Sequence, residues 1–279
     1  MTTIILQGPN LNSDKANAIV QRTGGSLTKH THHYKISRAN NISAEQLAAL
    51  RKIADFDINR LPKDFDPSQV KLLITDMDST FISIECIDEI ADFADLKPQV
   101  AAITESAMRG EIGFEASLSK RVALLTDLDT NALQKVYDER LTLNPGADLM
   151  LAALRDKGIK IALVSGGFTF FTNRLKERCQ LDYTHANVLE EHNGKLTGKV
   201  VGNIVGGGAK EIFLRKICNE LDIELNQAIA MGDGANDLMM MKSAGLSIAY
   251  HAKPTVQAQA DITFNYCGLE GVLGMLDCE

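Results

Sequence analysis

From residue 70 onward, short apolar, β-branched runs alternate with stretches whose apolar residues recur every three or four positions. The runs lie at 70–75, 159–164, 227–231 and 246–249, and they give way to Asp, Ser, Gly or His. Helical periodicity fills 146–157, 168–180, 209–221 and 235–244. Strands alternating with helices predict an α/β fold with a doubly wound, mostly parallel sheet. Between 84 and 142 the strand signal disappears, and helical stretches at 86–94, 98–108, 114–125 and 131–140 follow one another. That much helix after the first strand predicts a helical cap over the sheet. Upstream, strands at 3–6 and 27–36, a helix at 14–20 and a helix over 44–54 capped by Ser43 predict a small α/β unit. The two prolines in Leu61-Pro62-Lys63-Asp64-Phe65-Asp66-Pro67 read as a linker. The expected organisation is a small N-terminal domain over 1–66, a core over 67–83 and 142–279, and a cap over 84–141.

Composition narrows the function classes. A 45% hydrophobic, 23% charged chain is ordinary for a soluble globular protein. The net charge of −7 and the absence of a Lys/Arg block argue against nucleic acid as the main partner. No apolar stretch is long enough to span a bilayer, and the start lacks the flank of a signal peptide. Five scattered cysteines without a C-x-x-C pair predict reduced thiols in the cytoplasm. A homodimer is left open.

The candidate chemistry sits where the runs end. Asp76 and Asp78, in Asp76-Met77-Asp78-Ser79-Thr80, follow the run at 70–75 directly. By itself the pair reads as a strand surfacing into solvent, since a buried, unpartnered carboxylate is costly. Three later features change the reading. Ser165-Gly166-Gly167 places a hydroxyl and open backbone amides at a strand end, a geometry suited to phosphate oxygens. Lys210 lies near a helix start after Gly206-Gly207-Gly208. Gly232-Asp233-Gly234-Ala235-Asn236-Asp237 brings two more carboxylates to another strand end. In a parallel sheet these strand ends share one edge, where ligands bind. Four carboxylates there repel one another unless a hard cation sits among them, and Mg2+ suits so few protein ligands.

The motifs D-M-D-S-T, V-S-G-G-F, Lys210 and G-D-G-A-N-D, in this order, resemble those of the haloacid-dehalogenase-like phosphatase superfamily. Around the cap, the stretch Ile84-Glu85-Cys86-Ile87-Asp88-Glu89, then Met108, Phe114-Glu115-Ala116-Ser117 and Lys120-Arg121-Val122, resembles the members that act on O-phosphoserine. The resemblance runs from about residue 70 to 279. The N-terminal residues lie outside it and look only loosely like small regulatory α/β domains.

The resemblance implies Mg2+-dependent hydrolysis of O-phospho-L-serine, a small-molecule substrate, to L-serine and phosphate, the last step of serine biosynthesis. It makes Asp76 the nucleophile that becomes an aspartyl-phosphate, and Asp78 the general acid and then base. Asp76, the Asp78 carbonyl and Asp233 would hold the metal, with Asn236 and Asp237 in support. Ser165, the Gly166 amide and Lys210 would bind phosphoryl oxygens. Glu85 would meet the substrate ammonium and Arg121 its carboxylate, while Met108 and Phe114 would form an apolar lid. Glu211 departs from the pattern, which commonly has Gly after the lysine. Transfer of the phosphoryl group to another small alcohol such as homoserine, or an inert amino-acid sensor, are the rival expectations. His30, His32 and His33 form a further cluster in which His30 and His32 would share a strand face, a spacing open to zinc but lacking nearby Cys or acidic ligands.

Overall fold

The computed structural model describes residues 2–276, and the side chain of Met108 lies outside the described residues. The chain forms two sheets. The first is built from β1 (Thr2–Gln7), α1 (Ser13–Thr23), β2 (Ser26–Lys29), β3 (Tyr34–Ala39), α2 (Ala44–Ile53) and β4 (Asp57–Arg60). Its strands run antiparallel in the order β2-β3-β1-β4. Alternation along the strands turns Ile4, Leu6, Ile36 and Ile58 to one face, where Ala16, Ile19, Leu47 and Leu50 of the helices cover them. Ser43 starts α2 with a capping box shared with Gln46.

The stretch 27–36, expected as one strand, is a hairpin, because the chain turns back at 30–33. The histidines therefore occupy the turn and not a strand face; His30 and His33 stack with ring centroids 4.3 Å apart. Strand β4, too short to show a pattern in the sequence, gains its ladder from β1.

The second sheet begins with β5 (Leu72–Thr75). Four helices follow: α3 (Cys86–Phe93), α4 (Lys97–Met108), α5 (Phe114–Ala123) and α6 (Asn131–Glu139). The chain then continues through α7 (Ala147–Asp156), β6 (Lys160–Phe168), α8 (Thr169–Cys179), β7 (Tyr183–His192), β8 (Lys195–Val201), α9 (Gly207–Leu221), β9 (Ala228–Gly232), α10 (Leu238–Ser243), β10 (Leu246–Tyr250), α11 (Pro254–Gln257), β11 (Ile262–Phe264) and α12 (Gly271–Met275). Strand order is β11-β10-β9-β5-β6-β7-β8, parallel except for the β7–β8 pair. Every residue of β5, β9 and β10 is buried, as expected for strands covered on both faces. Leu73, Ile161, Leu163, Ile229 and Met231 pack on the side that leads into the cap helices. Leu72, Ile74, Ala162 and Val164 face α9 and α10, where Met240 and Met241 join the core.

The β7–β8 hairpin is absent from the sequence reading although it carries a signal. Asn193 and Gly194 both take positive φ, 51° and 76°, the conformation of a tight hairpin turn. The small sheet docks on the far edge of the large one through buried polar side chains. Asp57 accepts from the backbone N–H groups of Asn265, Tyr266 and Cys267 (2.8, 3.0 and 2.9 Å). Asn59 donates to the Thr263 carbonyl (2.9 Å) and accepts from its N–H (3.0 Å). Among the described residues no helix is long and apolar enough to cross a membrane, and four cysteines are free and buried.

Candidate active site

The tie between β5 and β9 continues one residue past β5: the Asp76 N–H donates to the Met231 carbonyl (2.9 Å). The chain then turns through 77–81, closed by the Ile82 N–H donating to Met77 O (3.0 Å), with Ser79 in the left-handed region at φ 56°. This turn separates the two carboxylates. Asp76 remains on the floor, while Asp78 reaches the start of α3, accepting from the Cys86 N–H (2.8 Å) and from the Ser165 hydroxyl (3.1 Å). The Ser79 hydroxyl donates to Glu85 (2.7 Å).

Lys210 is fully buried, and its ammonium donates to Asp76 Oδ1 (2.6 Å) and Asp237 Oδ1 (2.7 Å). The second oxygen of Asp237 accepts from the Gly234 N–H (3.0 Å). Gly232 is required here, since a Cβ on it would lie 2.4 Å from the Asp237 carboxyl. Burial would discharge Lys210, but Asp237 and Asp76 override it and hold the ammonium above the ordinary lysine range. Burial, then Asp237, push the Asp76 carboxyl well up, against the pull of Lys210. Burial and Asp237 likewise push Asp233 up to about 6. Asp76, Asp233 and Asp237 each offer an oxygen within 4.8 Å of the others. One lysine does not balance three carboxylates, and an all-oxygen donor set of this kind suits a hard divalent cation.

A bulged loop within the end of β6, over Ser165, Gly166 and Gly167, forms the next wall. The Gly167 N–H donates to Ser165 Oγ (2.8 Å), and a Cβ on Gly167 would sit 2.7 Å from Asp78 Oδ2. Phe114 of the cap leans on this loop: a Cβ on Gly166 would lie 2.7 Å from its ring.

Floor and cap enclose a cleft of about 820 Å3 lined by Asp76, Asp78, Gly166, Asp233 and Asn236 below and by Glu85, Phe114 and Arg121 above. Ser165, Lys210 and Asp237 lie beneath that surface, each fully buried. The lysine ammonium thus points to two carboxylates rather than onto the cleft wall. Arg121 keeps its Nε buried without a hydrogen-bond partner. Burial lowers its pKa, and Asp88, then Glu85, oppose the shift. Glu85 keeps contact with solvent, yet loss of hydration in the cleft, and then Asp78, push its carboxyl up to about 8. The expected lid role of Met108 falls on a side chain outside the described residues. Glu211 turns away from the site to Arg215 (2.7 and 3.0 Å) and Ser243 (2.8 Å).

Two lining residues had no motif to announce them: Lys253 and Thr255, from the segment after β10, face the cleft, as does Asp88 in α3, which the cap stretch contained without a role. The Thr80 hydroxyl lies 3.4 Å from Asp233 and donates to it; only its place at the end of D-M-D-S-T hinted at this.

The haloacid dehalogenase-like hydrolase family matches residues 70–245. A phosphoserine phosphatase of Polaromonas sp. is 51% identical over 224 residues, 78% of this chain and 95% of that protein. A HAD family hydrolase of Salmonella enterica serovar Typhi, 32% identical, superposes with a TM-score of 0.91 over 100% of this chain and 99% of that one. A phosphoserine phosphatase solved as a phospho-aspartyl intermediate analogue, 43% identical, gives a TM-score of 0.70 over 74% of this chain and 98% of that one. The chain belongs to the haloacid dehalogenase-like hydrolases, within the phosphoserine phosphatase family.

Proposed function

We propose that this protein hydrolyses O-phospho-L-serine to L-serine and phosphate, in the cytoplasm, with Mg2+ and through an aspartyl-phosphate on Asp76. The observation that carries the reading is the opposition across the cleft: Asp76 and Asp78 on the floor face Glu85 and Arg121 on the cap, whose guanidinium has an unpartnered N–H. Those two charges complement the ammonium and carboxylate of a free amino acid, and the floor complements its phosphoryl group. The cytoplasmic assignment rests on free, buried thiols.

Lys210 holds Oδ1 of Asp76, which orients the carboxylate for attack by its other oxygen. The bond from that oxygen to phosphorus forms as the bond to the serine oxygen breaks. The departing oxygen takes a proton from Asp78, whose carboxyl is pushed up by burial, with the Cys86 N–H and Ser165 pulling the other way. Water then attacks phosphorus and gives a proton to Asp78, the acyl-phosphate bond breaks, and phosphate leaves. Asp76, Asp233 and the Asp78 backbone carbonyl would hold Mg2+, which when bound neutralises charge on the phosphoryl oxygens. Asn236 and Asp237 support that side of the site, and Ser165 and the Gly166 amide support the phosphoryl oxygens.

A phosphate-release screen over small phosphomonoesters tests the reading. O-Phospho-L-serine is expected to give the highest kcat/KM, with turnover abolished by chelation and restored by Mg2+. Turnover indifferent to chelator, or a clear preference for an ester without amino and carboxylate groups, would overturn it.

A further inference from the structure

Asn187 lies on β7 with 1% of its surface exposed, and its amide joins two loops of the site. Nδ2 donates to the Gly166 carbonyl (2.8 Å), and Oδ1 accepts from the Val205 N–H (2.8 Å). The first of these bonds bears on the chemistry. The Gly166 carbonyl and the Gly167 N–H belong to one planar peptide unit. Asn187 holds that unit by its carbonyl, while its N–H donates to Ser165 Oγ (2.8 Å). A peptide plane gripped on both sides cannot rotate. Ser165 Oγ, having accepted that bond, directs its own proton to Asp78 Oδ2 (3.1 Å). A continuous run of bonds therefore leads from Asn187 through the peptide and Ser165 to Asp78.

The second bond fixes the other loop. Val205 precedes Gly206, which opens α9, the helix that carries Lys210. Phe114 touches both loops, since a Cβ on Gly206 would lie 3.4 Å from its ring and one on Gly166 2.7 Å. The amide of Asn187 thus sets the spacing of two glycines on which the cap residue rests. A buried carboxamide with one donor and its acceptor both satisfied across separate loops is the kind of link that holds reacting groups within a fraction of an ångström.

We propose that Asn187 is a positioning residue for phosphoryl transfer: through the Gly166–Gly167 peptide and Ser165 it holds Asp78 in line to protonate the departing oxygen. The proposal rests on the phosphomonoester reading of the site but not on phosphoserine as the substrate. In the step concerned, the Asp76–phosphorus bond forms, the bond to the leaving oxygen breaks, and that oxygen takes the Asp78 proton. A weakly basic leaving group such as p-nitrophenolate departs without the proton, whereas phenolate needs it more. Loosening Asp78 should therefore steepen the dependence on the leaving group.

The test compares single-turnover cleavage of phenyl phosphate and p-nitrophenyl phosphate by the Mg2+-loaded enzyme, in wild type, Asn187→Ala and Asn187→Asp. The Asp variant keeps an acceptor for Val205 and, when ionised, has no donor for Gly166. Phenyl phosphate cleavage is expected to fall about 10- to 100-fold, and p-nitrophenyl phosphate cleavage by less than about threefold. Equal losses on the two esters, no loss on either, or failure of both variants to fold would overturn the proposal, because Asn187 would then serve the scaffold alone. If wild type cleaves these aryl esters but not O-phosphoserine, the substrate reading fails and the Asn187 comparison still stands.

Discussion

The floor and the cap wall of the cleft treat charge in opposite ways. On the floor, Lys210 is locked between Asp76 and Asp237 with all three groups almost wholly withdrawn from water. On the cap, Glu85 accepts from the Ser79 hydroxyl, and among the described residues the Arg121 Nε has no partner. Buried charge is tolerated only when paired, so Lys210, Asp76 and Asp237 carry their pairing inside the fold. The cap groups border the cleft and leave their pairing open. The floor is thus organised before any ligand arrives, which is how fixed dipoles and charges lower a barrier without reorganising. The cap is completed by whatever enters. On the proposed reading chemistry and selection are separable, and each substitution below should strike one region or the other.

The largest effect belongs to Asp76→Asn. The amide is nearly isosteric and its carbonyl oxygen still accepts from Lys210, so the fold should persist. Turnover should fall by at least about a thousandfold, since a nucleophile cannot be replaced by its neighbours. Phosphate release together with a thermal melt checks this. A folded variant with substantial turnover would mean that the floor does not act through Asp76.

Lys210→Met strikes the same region through stability. Removing one partner of a buried ion pair typically costs about 3–5 kcal/mol, measured here by denaturant titration of the metal-free protein. The sign with pH follows from Asp76. Its carboxyl is already raised by burial and by Asp237, and loss of the ammonium raises it further. A raised carboxyl contributes stability below its unfolded pKa that is lost as pH rises. The penalty should therefore be greatest near neutrality and shrink in acid. A penalty independent of pH would show that the floor charges are solvated rather than paired.

Arg121→Lys and Glu85→Gln strike the cap. Losing a charge-assisted bond in a closed site costs about 1.5–3 kcal/mol, or roughly 10- to 150-fold in kcat/KM on O-phosphoserine. Lysine cannot reproduce the planar fork that guanidinium offers a carboxylate. p-Nitrophenyl phosphate, which makes neither bond, should lose little, so the ratio of the two substrates isolates the cap. Equal losses would mean that these residues hold the site together instead of reading the amino acid. Glu85 gives a second readout. With its carboxyl near 8 in the empty cleft it is mostly protonated at pH 7. An arriving ammonium favours the ionised form, so L-serine binding to the metal-free protein should release a fraction of a proton. Calorimetry in buffers of different ionisation enthalpy measures that release, and Glu85→Gln should abolish it.

The same division explains what the sequence could disclose. The floor was legible because Asp76, Asp78, Ser165 and Asp233 fall at or just past the ends of apolar runs, and because glycines flank Ser165, Lys210 and Asp233, among them Gly232, which makes room for Asp237. Strands β5, β6, β9 and β10 announce themselves by short, mostly apolar runs. Strands β4 and β11 do not: β4, Asp57–Arg60, holds its place by Asp57 and Asn59 bonding to partners about 200 residues away in sequence. Lys253 was equally silent, because it reaches the cleft only when the segment after β10 folds back beside Asp233. Asn187 lies in a strand whose hairpin signal, Asn193-Gly194, was available, but its two bonds join loops that have no relation in sequence. Local pattern reports strand ends and turns; it does not report which loops a side chain will bridge.

The smallest effect should come from Glu211, although the sequence makes it the conspicuous departure. A carboxylate next to Lys210 could weaken an anion site if it faced inward. Helical geometry sends consecutive residues about 100° apart, so with Lys210 turned into the core Glu211 must point elsewhere. It meets Arg215 one turn later and Ser243 of α10, and these bonds, Arg215 first, lower its pKa. An exposed i,i+4 pair of this kind contributes about 0.3–0.5 kcal/mol. Glu211→Gln should thus cost no more than about that in stability and leave kcat/KM within about twofold of wild type. Inhibition by inorganic phosphate is the sharper readout, since removing a negative charge that reached the cleft would tighten phosphate binding. A drop in the phosphate inhibition constant of more than about threefold, roughly 0.65 kcal/mol, would show that Glu211 belongs to the floor after all. An unchanged constant places it on the outer face of α9, where its charge serves only the helix.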